Sequence, residues 1–190
     1  MAKSKFYKIL QFFLLCIFSL YGCSNRSNIV QMPSHSKATN LLYWQAKGKI
    51  AGYDDQNNWR GSIVWKQLEK QYSIHLLPSL SSQKFNLSQS KSGATLSTAK
   101  KQYTGDDLDS LLLTHLNWQV PVSSLQYWLR GLPDPKFKYT ISSNKKIMYQ
   151  NGWAIEYKEY FTNYKYILPK KIFLSKKPFS LRIIINNWKI

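Results

Sequence analysis

Apolar residues recur at every second position through most of this chain, and that period leaves few folds open to it. Trp44, Ala46, Gly48 and Ile50 fall on one side of an extended segment, with Gln45, Lys47 and Lys49 on the other. A second segment from Trp59 to Gln67 groups Trp59, Gly61, Ile63 and Trp65 against Arg60, Ser62 and Lys66, with Val64 breaking the polarity. Each pattern describes a strand with one wet face. The link Asp54-Asp55-Gln56-Asn57 supplies turn chemistry between them. Tyr72, Ile74 and Leu76 mark a third strand, Phe85 and Leu87 a fourth, and Gly93 to Ser97 a fifth. Short strands met one after another imply an antiparallel meander.

The period changes at Thr104-Gly105-Asp106-Asp107, where capping residues and acids precede Leu108, Leu111, Leu112 and His115 at helical spacing. Pro121 and Ser123 open a second helix bearing Val122, Leu125, Trp128 and Leu129, with Gly131 and Pro133 as its stop. Strands then resume over 138–142, 145–150 and 152–160, with Asn151-Gly152 as a hairpin signal, and end with 171–175 and 181–187. The predicted class is mainly β, with two short helices interrupting the strands.

The N-terminus sets the compartment. Lys3, Lys5 and Lys8 precede an almost unbroken apolar run from Ile9 to Tyr21, the layout of a secretory signal and too short for a mature span. The run closes on Leu20-Tyr21-Gly22-Cys23, which resembles a lipobox, although Tyr21 is an unusual occupant. The chain has two cysteines, Cys16 inside the run and Cys23, so a mature form could hold no internal disulfide and Cys23 is spared for lipid. An ordinary cleaved signal with a chance Cys, or an uncleaved anchor, are the competing readings. Ser24 stands where an Asp would favour inner-membrane retention, which points to the outer membrane. The predicted organisation is a signal peptide over 1–22, a lipidated N-terminus and Ser/Asn/Gln-rich tether over 23–40, and one domain over 41–190.

Lys and Arg number 27 against 9 Asp and Glu; without the three lysines of the signal the balance is 24 − 9 = +15. Such a surface seeks polyanions: nucleic acid, anionic lipid headgroups or an acidic protein face. Export argues against nucleic acid, and a solvated, solubilising face is the plain alternative.

Catalytic and metal chemistry find no constellation here. His35, His75 and His115 lie in the tether, a strand and a helix, without a Cys or carboxylate at metal-ligand spacing. Asp106, Asp107 and Asp109 are the acids a first helical turn favours. No nucleophile-plus-base pattern or phosphate-cradling loop appears, so no enzyme and no cofactor is predicted. Large apolar side chains, by contrast, are in excess: 15% of residues are aromatic, seven of them Trp. They form either a plain core or the lining of a cavity for acyl chains. The candidates for such a lining are Trp44, Ile50, Ile63, Trp65, Leu108, Leu111, Leu112, Leu125, Trp128, Leu129, Trp153 and Tyr157. Leu80 is isolated among the turn formers of Pro78-Ser79-Leu80-Ser81-Ser82; at a loop tip facing a bilayer it would be a membrane probe, whereas a lone exposed Leu usually means nothing.

Several segments resemble, in order, those of the LolB family of outer-membrane lipoprotein receptors. They are Trp44 to Ile50, Leu76 to Leu80, Gly93 to Leu96, Tyr103 to Asp107, Leu125 to Pro133 and Gln150 to Trp153, followed by Asn187-Trp188. The most specific is Trp128-Leu129-Arg130-Gly131-Leu132-Pro133 after Pro121-Val122-Ser123-Ser124-Leu125. The resemblance implies an open, incomplete antiparallel β-barrel with a helical lid over an apolar cavity. It also implies a periplasm-facing acceptor that takes lipoproteins from the soluble periplasmic carrier LolA and inserts them into outer-membrane phospholipid without nucleotide hydrolysis. The family's membrane-inserting loop residue falls on Leu80, although Pro78-Ser79-Leu80-Ser81 departs from the family's usual loop. A monomer is expected. The rival reading is a structural or envelope-interaction lipoprotein with a filled core and a basic partner-binding surface.

Overall fold

The computed structural model describes residues 38–54, 58–80, 83–144, 146–162 and 164–190. The signal peptide, Cys23, Ser24 and the tether to Lys37 lie outside the described residues, as do 55–57 of the first turn, Ser81, Ser82 and Lys145.

Eleven strands form a single antiparallel sheet: β1 (Tyr43–Tyr53), β2 (Asn58–Leu68), β3 (Gln71–Pro78), β4 (Phe85–Ser90), β5 (Gly93–Ser97), β6 (Gln102–Gly105), β7 (Tyr139–Ile141), β8 (Ile147–Gln150), β9 (Trp153–Phe161), β10 (Leu168–Lys176) and β11 (Phe179–Lys189). Its order is β6-β5-β4-β3-β2-β1-β11-β10-β9-β8-β7. Every consecutive pair is a hairpin except β6 and β7, and the first strand closes on the last. The sheet is therefore a barrel left open between β6 and β7. Helices α1 (Leu108–Leu116) and α2 (Val122–Trp128) occupy the connection between those two edges. α1 packs on β4, β5 and β6, while the Trp128 ring of α2 lies 6.2 Å from that of Trp153 on β9.

Alternation fixes which face is buried. Along β1, Trp44, Ala46 and Ile50 are buried, and Gln45, Lys47 and Lys49 face outward; along β2, Gly61, Ile63, Trp65 and Gln67 are buried. A one-residue slip would turn these rows to water, so the sheet register is strongly specified. Asn151 and Gly152, at φ 50° and 77°, make the β8–β9 turn that the sequence signals. The structure adds one strand to the predicted set: β6 is a four-residue edge strand of one half-buried tyrosine among polar residues, too short for alternation to reveal. β10 also begins earlier than 171, because Pro169 is tolerated where the register shifts between Pro169 and Lys171.

Acids at the start of α1 hold the helices in place. Asp107 is the N-cap of α1, its carboxylate accepting from the Ser110 hydroxyl at 2.7 Å and the Ser110 N–H at 2.8 Å, and these bonds, the hydroxyl's above all, hold its pKa below the usual carboxylate range. α2 begins at Pro121, which offers no capping side chain. Asp109 of α1 accepts instead from the Val122 N–H at 2.7 Å and the Ser123 N–H at 3.2 Å, tying the two helices together.

Candidate functional site

The interior divides into a closed body and an open mouth. In the body, Trp44 stacks 5.8 Å from Trp65 and lies 5.3 Å from Trp188, all three buried. Trp128 donates its indole N–H to Gln150 Oε1 at 2.7 Å; Gln150 also accepts from the Asp134 N–H, and Asp134 accepts from Ser124 Oγ. The Tyr157 hydroxyl donates to the Trp128 carbonyl at 3.0 Å, and burial pushes its pKa well up. Arg130 is buried and forms no ion pair among the described residues, its guanidinium donating to the carbonyls of Ala38 and Leu41 and so fixing the chain at its entry to the domain.

The mouth lies at the end of the barrel where β1 meets β2 and β3 meets β4. An apolar pocket of about 250 Å³ opens there. β1 contributes Ile50, β2 Trp59 and Gly61, β3 Leu76 and Pro78, and β4 Phe85; α1 covers it with Leu112 and Leu116, and Trp118 follows. These are the inward residues nearest the strand ends, since Ile63 pairs with Leu76 and Leu76 with Phe85 in register. Trp59, Leu76, Phe85 and Trp118 are only half-buried, and Trp59 and Trp118 meet at 4.8 Å. Gly52 makes room for this arrangement: a Cβ there would lie 2.4 Å from the Trp59 ring. Beside the mouth, Tyr53, Asn58, Trp59, Arg60, Pro78 and Leu80 line a second, more open hollow. Leu80 is 89% exposed, whereas no other exposed large hydrophobic among the described residues exceeds 54%.

Of the twelve residues read as candidates for a cavity lining, Ile50 and Leu112 stand in the wall of this pocket. The other ten, Trp44, Ile63, Trp65, Leu108, Leu111, Leu125, Trp128, Leu129, Trp153 and Tyr157, are buried in the core without lining it. Sequence reading missed Trp59, Leu76, Phe85, Leu116 and Trp118 as wall residues. The signal was available for the strand residues, because each is an inward position within two residues of a strand end on the side of Leu80. Trp118 sits in a connection without periodicity, and nothing in its neighbours marks it. His115, left without a metal partner in the sequence, stacks on Tyr103 at 3.8 Å.

Comparison with known proteins agrees with this architecture. The family described as outer membrane lipoprotein LolB matches residues 43–188. An outer-membrane lipoprotein LolB of Francisella tularensis subsp. tularensis is 30% identical over 190 residues, covering 93% of this chain and 92% of its own length. One from Pseudomonas putida is 30% identical over 159 residues, covering 81% and 78% respectively. A match of that extent, over the whole described barrel and both helices, means that the chain belongs to the LolB family of outer-membrane lipoproteins.

Proposed function

We propose that this protein accepts acylated lipoproteins from the soluble periplasmic carrier LolA and inserts them into the outer membrane, with Cys23 acylated as its own anchor. The observation that carries the reading is the pairing of a half-wet apolar pocket with the extreme exposure of Leu80 at the same end of the barrel. Half-buried aromatic walls keep apolar surface against water until a guest covers it. Burying an acyl chain stabilises a complex by ~0.8 kcal/mol per CH₂, so the end of one chain suffices for measurable affinity. The pocket of about 250 Å³ lies just under the ~300–1,000 Å³ usual for small-molecule sites, so deeper entry requires α1 to swing outward. Directional transfer then needs only rising affinity from carrier to pocket to bilayer, about 1.4 kcal/mol for each tenfold bias.

Anchor and mouth can reach one membrane even though the chain enters the domain at the end opposite the mouth. The chain enters the domain at Leu41, beside the start of β1, whereas Leu80 projects beyond the end of β3. β1 has 11 residues, about 37 Å at ~3.4 Å each. The roughly 15 residues from Cys23 to Lys37 extend to about 50 Å at ~3.3 Å per residue, enough to pass the barrel.

Leu80→Glu tests the division of labour. Acylated peptide binding and acceptance from the carrier stay at the normal level, release into liposomes falls sharply, and stability changes by no more than about 0.5 kcal/mol. Delivery to liposomes at the unaltered rate would remove Leu80 from the insertion step. The rival, an envelope-interaction lipoprotein with a filled core, predicts that neither acylated peptide nor hydrophobic dye binds at all.

A further inference from the structure

We infer that Arg60, Lys84, Lys100 and Lys101 form, around Leu80, a docking surface for the anionic headgroups of phospholipids. The inference rests on the membrane-inserting role given to Leu80 above. One leucine side chain is a weak anchor by itself, and peripheral attachment of this kind is stable only when an apolar element is joined by a second signal such as a basic patch. The structure places that second signal beside the first. Arg60 lines the same hollow as Leu80, and its carbonyl accepts from the Ser79 N–H at 2.8 Å, so loop and strand are held together. Lys84 lies between Leu80 and β4. Asn86 pairs with Ser97 across β4 and β5, which sets the β5–β6 turn, with Lys100 and Lys101, next to Lys84. That turn is built: the Thr98 hydroxyl accepts from the N–H groups of Lys100 and Lys101, and the Thr98 N–H donates to the Lys101 carbonyl at 2.8 Å. Arg60, Lys84, Lys100 and Lys101 are all exposed.

Charge is arranged differently at the two ends of the barrel. The turns at the mouth (β1–β2, β3–β4, β5–β6 and β10–β11) carry Lys84, Lys100, Lys101 and Lys177 against Asp54 and Asp55, a balance of 4 − 2 = +2 before Arg60 is added. Both acids lie in the β1–β2 turn, and neither lies in the two turns that carry Lys84, Lys100 and Lys101. At the far end, the β2–β3, β4–β5, β7–β8 and β9–β10 turns and the β6–α1 link carry Lys70, Lys91, Lys145, Lys146 and Lys165 against Glu69, Asp106 and Asp107, a balance of 5 − 3 = +2. Arg60 and the acid-free turns of Lys84, Lys100 and Lys101 thus set four basic side chains around Leu80, the most exposed large hydrophobic among the described residues. That arrangement complements an anionic bilayer surface, where each nearby Lys or Arg strengthens attachment within a Debye length.

The test uses the full-length, acylated protein with Ser79→Cys carrying an environment-sensitive dye, reconstituted into vesicles of phosphatidylcholine alone or with about 30 mol% phosphatidylglycerol. Two variants are compared in that background: Lys84→Gln/Lys100→Gln/Lys101→Gln, and Lys70→Gln/Lys91→Gln/Lys165→Gln, which removes equal charge from the far end. With the parent protein, the dye enters the bilayer and cargo is inserted at least about tenfold faster on the anionic vesicles. The mouth variant loses that advantage and the far-end variant keeps it. Equal losses in both variants would reduce the effect to net charge and overturn the inference. Equal dye entry on both lipids would overturn it too, leaving Leu80 insertion intact. A dye that stays in water on both lipids while cargo is still inserted would overturn the Leu80 reading itself, and the inference with it. Slower acceptance from the carrier with unchanged membrane entry would assign the lysines to an acidic protein face and overturn the lipid assignment.

Discussion

The body and the mouth of this barrel are built from the same kinds of residue and end in opposite states. Trp65 and Trp128 are fully buried with their indole N–H groups bonded to Gln67 and Gln150, while Trp59 and Trp118 are half-buried and face a pocket. What separates them is what lies opposite. In the body, α2 fills the space between β8–β9 and the N-terminal residues, bringing Val122, Leu125 and Trp128 inward. At the mouth the wall includes Gly61 and Ser62, and the cover comes from Leu112 and Leu116 of α1 with Trp118 after it. Aromatic content therefore does not separate core from cavity; position along each strand, relative to where a helix plugs the barrel, does.

The strongest way to break this contrast is at Trp128. Trp128→Ala removes a fully buried ring and the donor to Gln150, and about 3–5 kcal/mol of stability should go with it. Denaturant unfolding followed by circular dichroism measures the loss. A drop below about 1 kcal/mol would mean that the body relaxes as a mouth does, and that the two regions are not mechanically distinct.

Leu116→Glu probes the other side. Leu116 is 37% exposed at the end of α1 and forms part of the pocket wall. A carboxylate there resists leaving water, so acylated peptide binding should weaken at least about tenfold, or ~1.4 kcal/mol. Stability should shift by about 1 kcal/mol or less. Isothermal titration and unfolding on the same sample separate the two effects. Unchanged affinity beside a large stability loss would make the mouth a piece of core.

Most of the barrel was legible in the sequence because alternation is a local property: Trp44 to Ile50 and Trp59 to Gln67 each declare their buried face without reference to anything distant. Both helices were legible for the same reason, through Leu108, Leu111, Leu112 and Val122, Leu125, Trp128. The pocket wall was not. Alternation assigns Ile50, Ile63 and Trp65 to the same inner face, yet only Ile50 reaches the pocket, because α2 fills the barrel beneath it. That filling is set by the crossing of α1 and α2 and by the Asp109 bond to the start of α2, neither of which has a period to read. Asp109, read from sequence as an acid favoured by a helix dipole, does stand in the first turn of α1, and it is also the cap its neighbouring helix lacks.

The smallest expected effect sharpens the contrast within the body itself. Trp44 and Trp65 stack on each other, but the Trp65 N–H donates to Gln67 Oε1 at 2.9 Å, whereas the Trp44 Nε1 is buried without a hydrogen-bond partner among the described residues. Substitution by Phe keeps an aromatic ring at each site and removes the N–H along with part of the apolar surface. At Trp65 the change strands Gln67 Oε1 and loses a satisfied bond, at a cost of about 1–3 kcal/mol beyond the lost packing. At Trp44 it removes a donor already left dry, which offsets the packing loss, so Trp44→Phe should lie within about 1 kcal/mol of the parent. The pair is read by the difference between their unfolding midpoints at equal m. Equal losses at both sites would show that packing alone decides stability in the body, and that the Gln67 bond adds nothing to the closure separating it from the mouth.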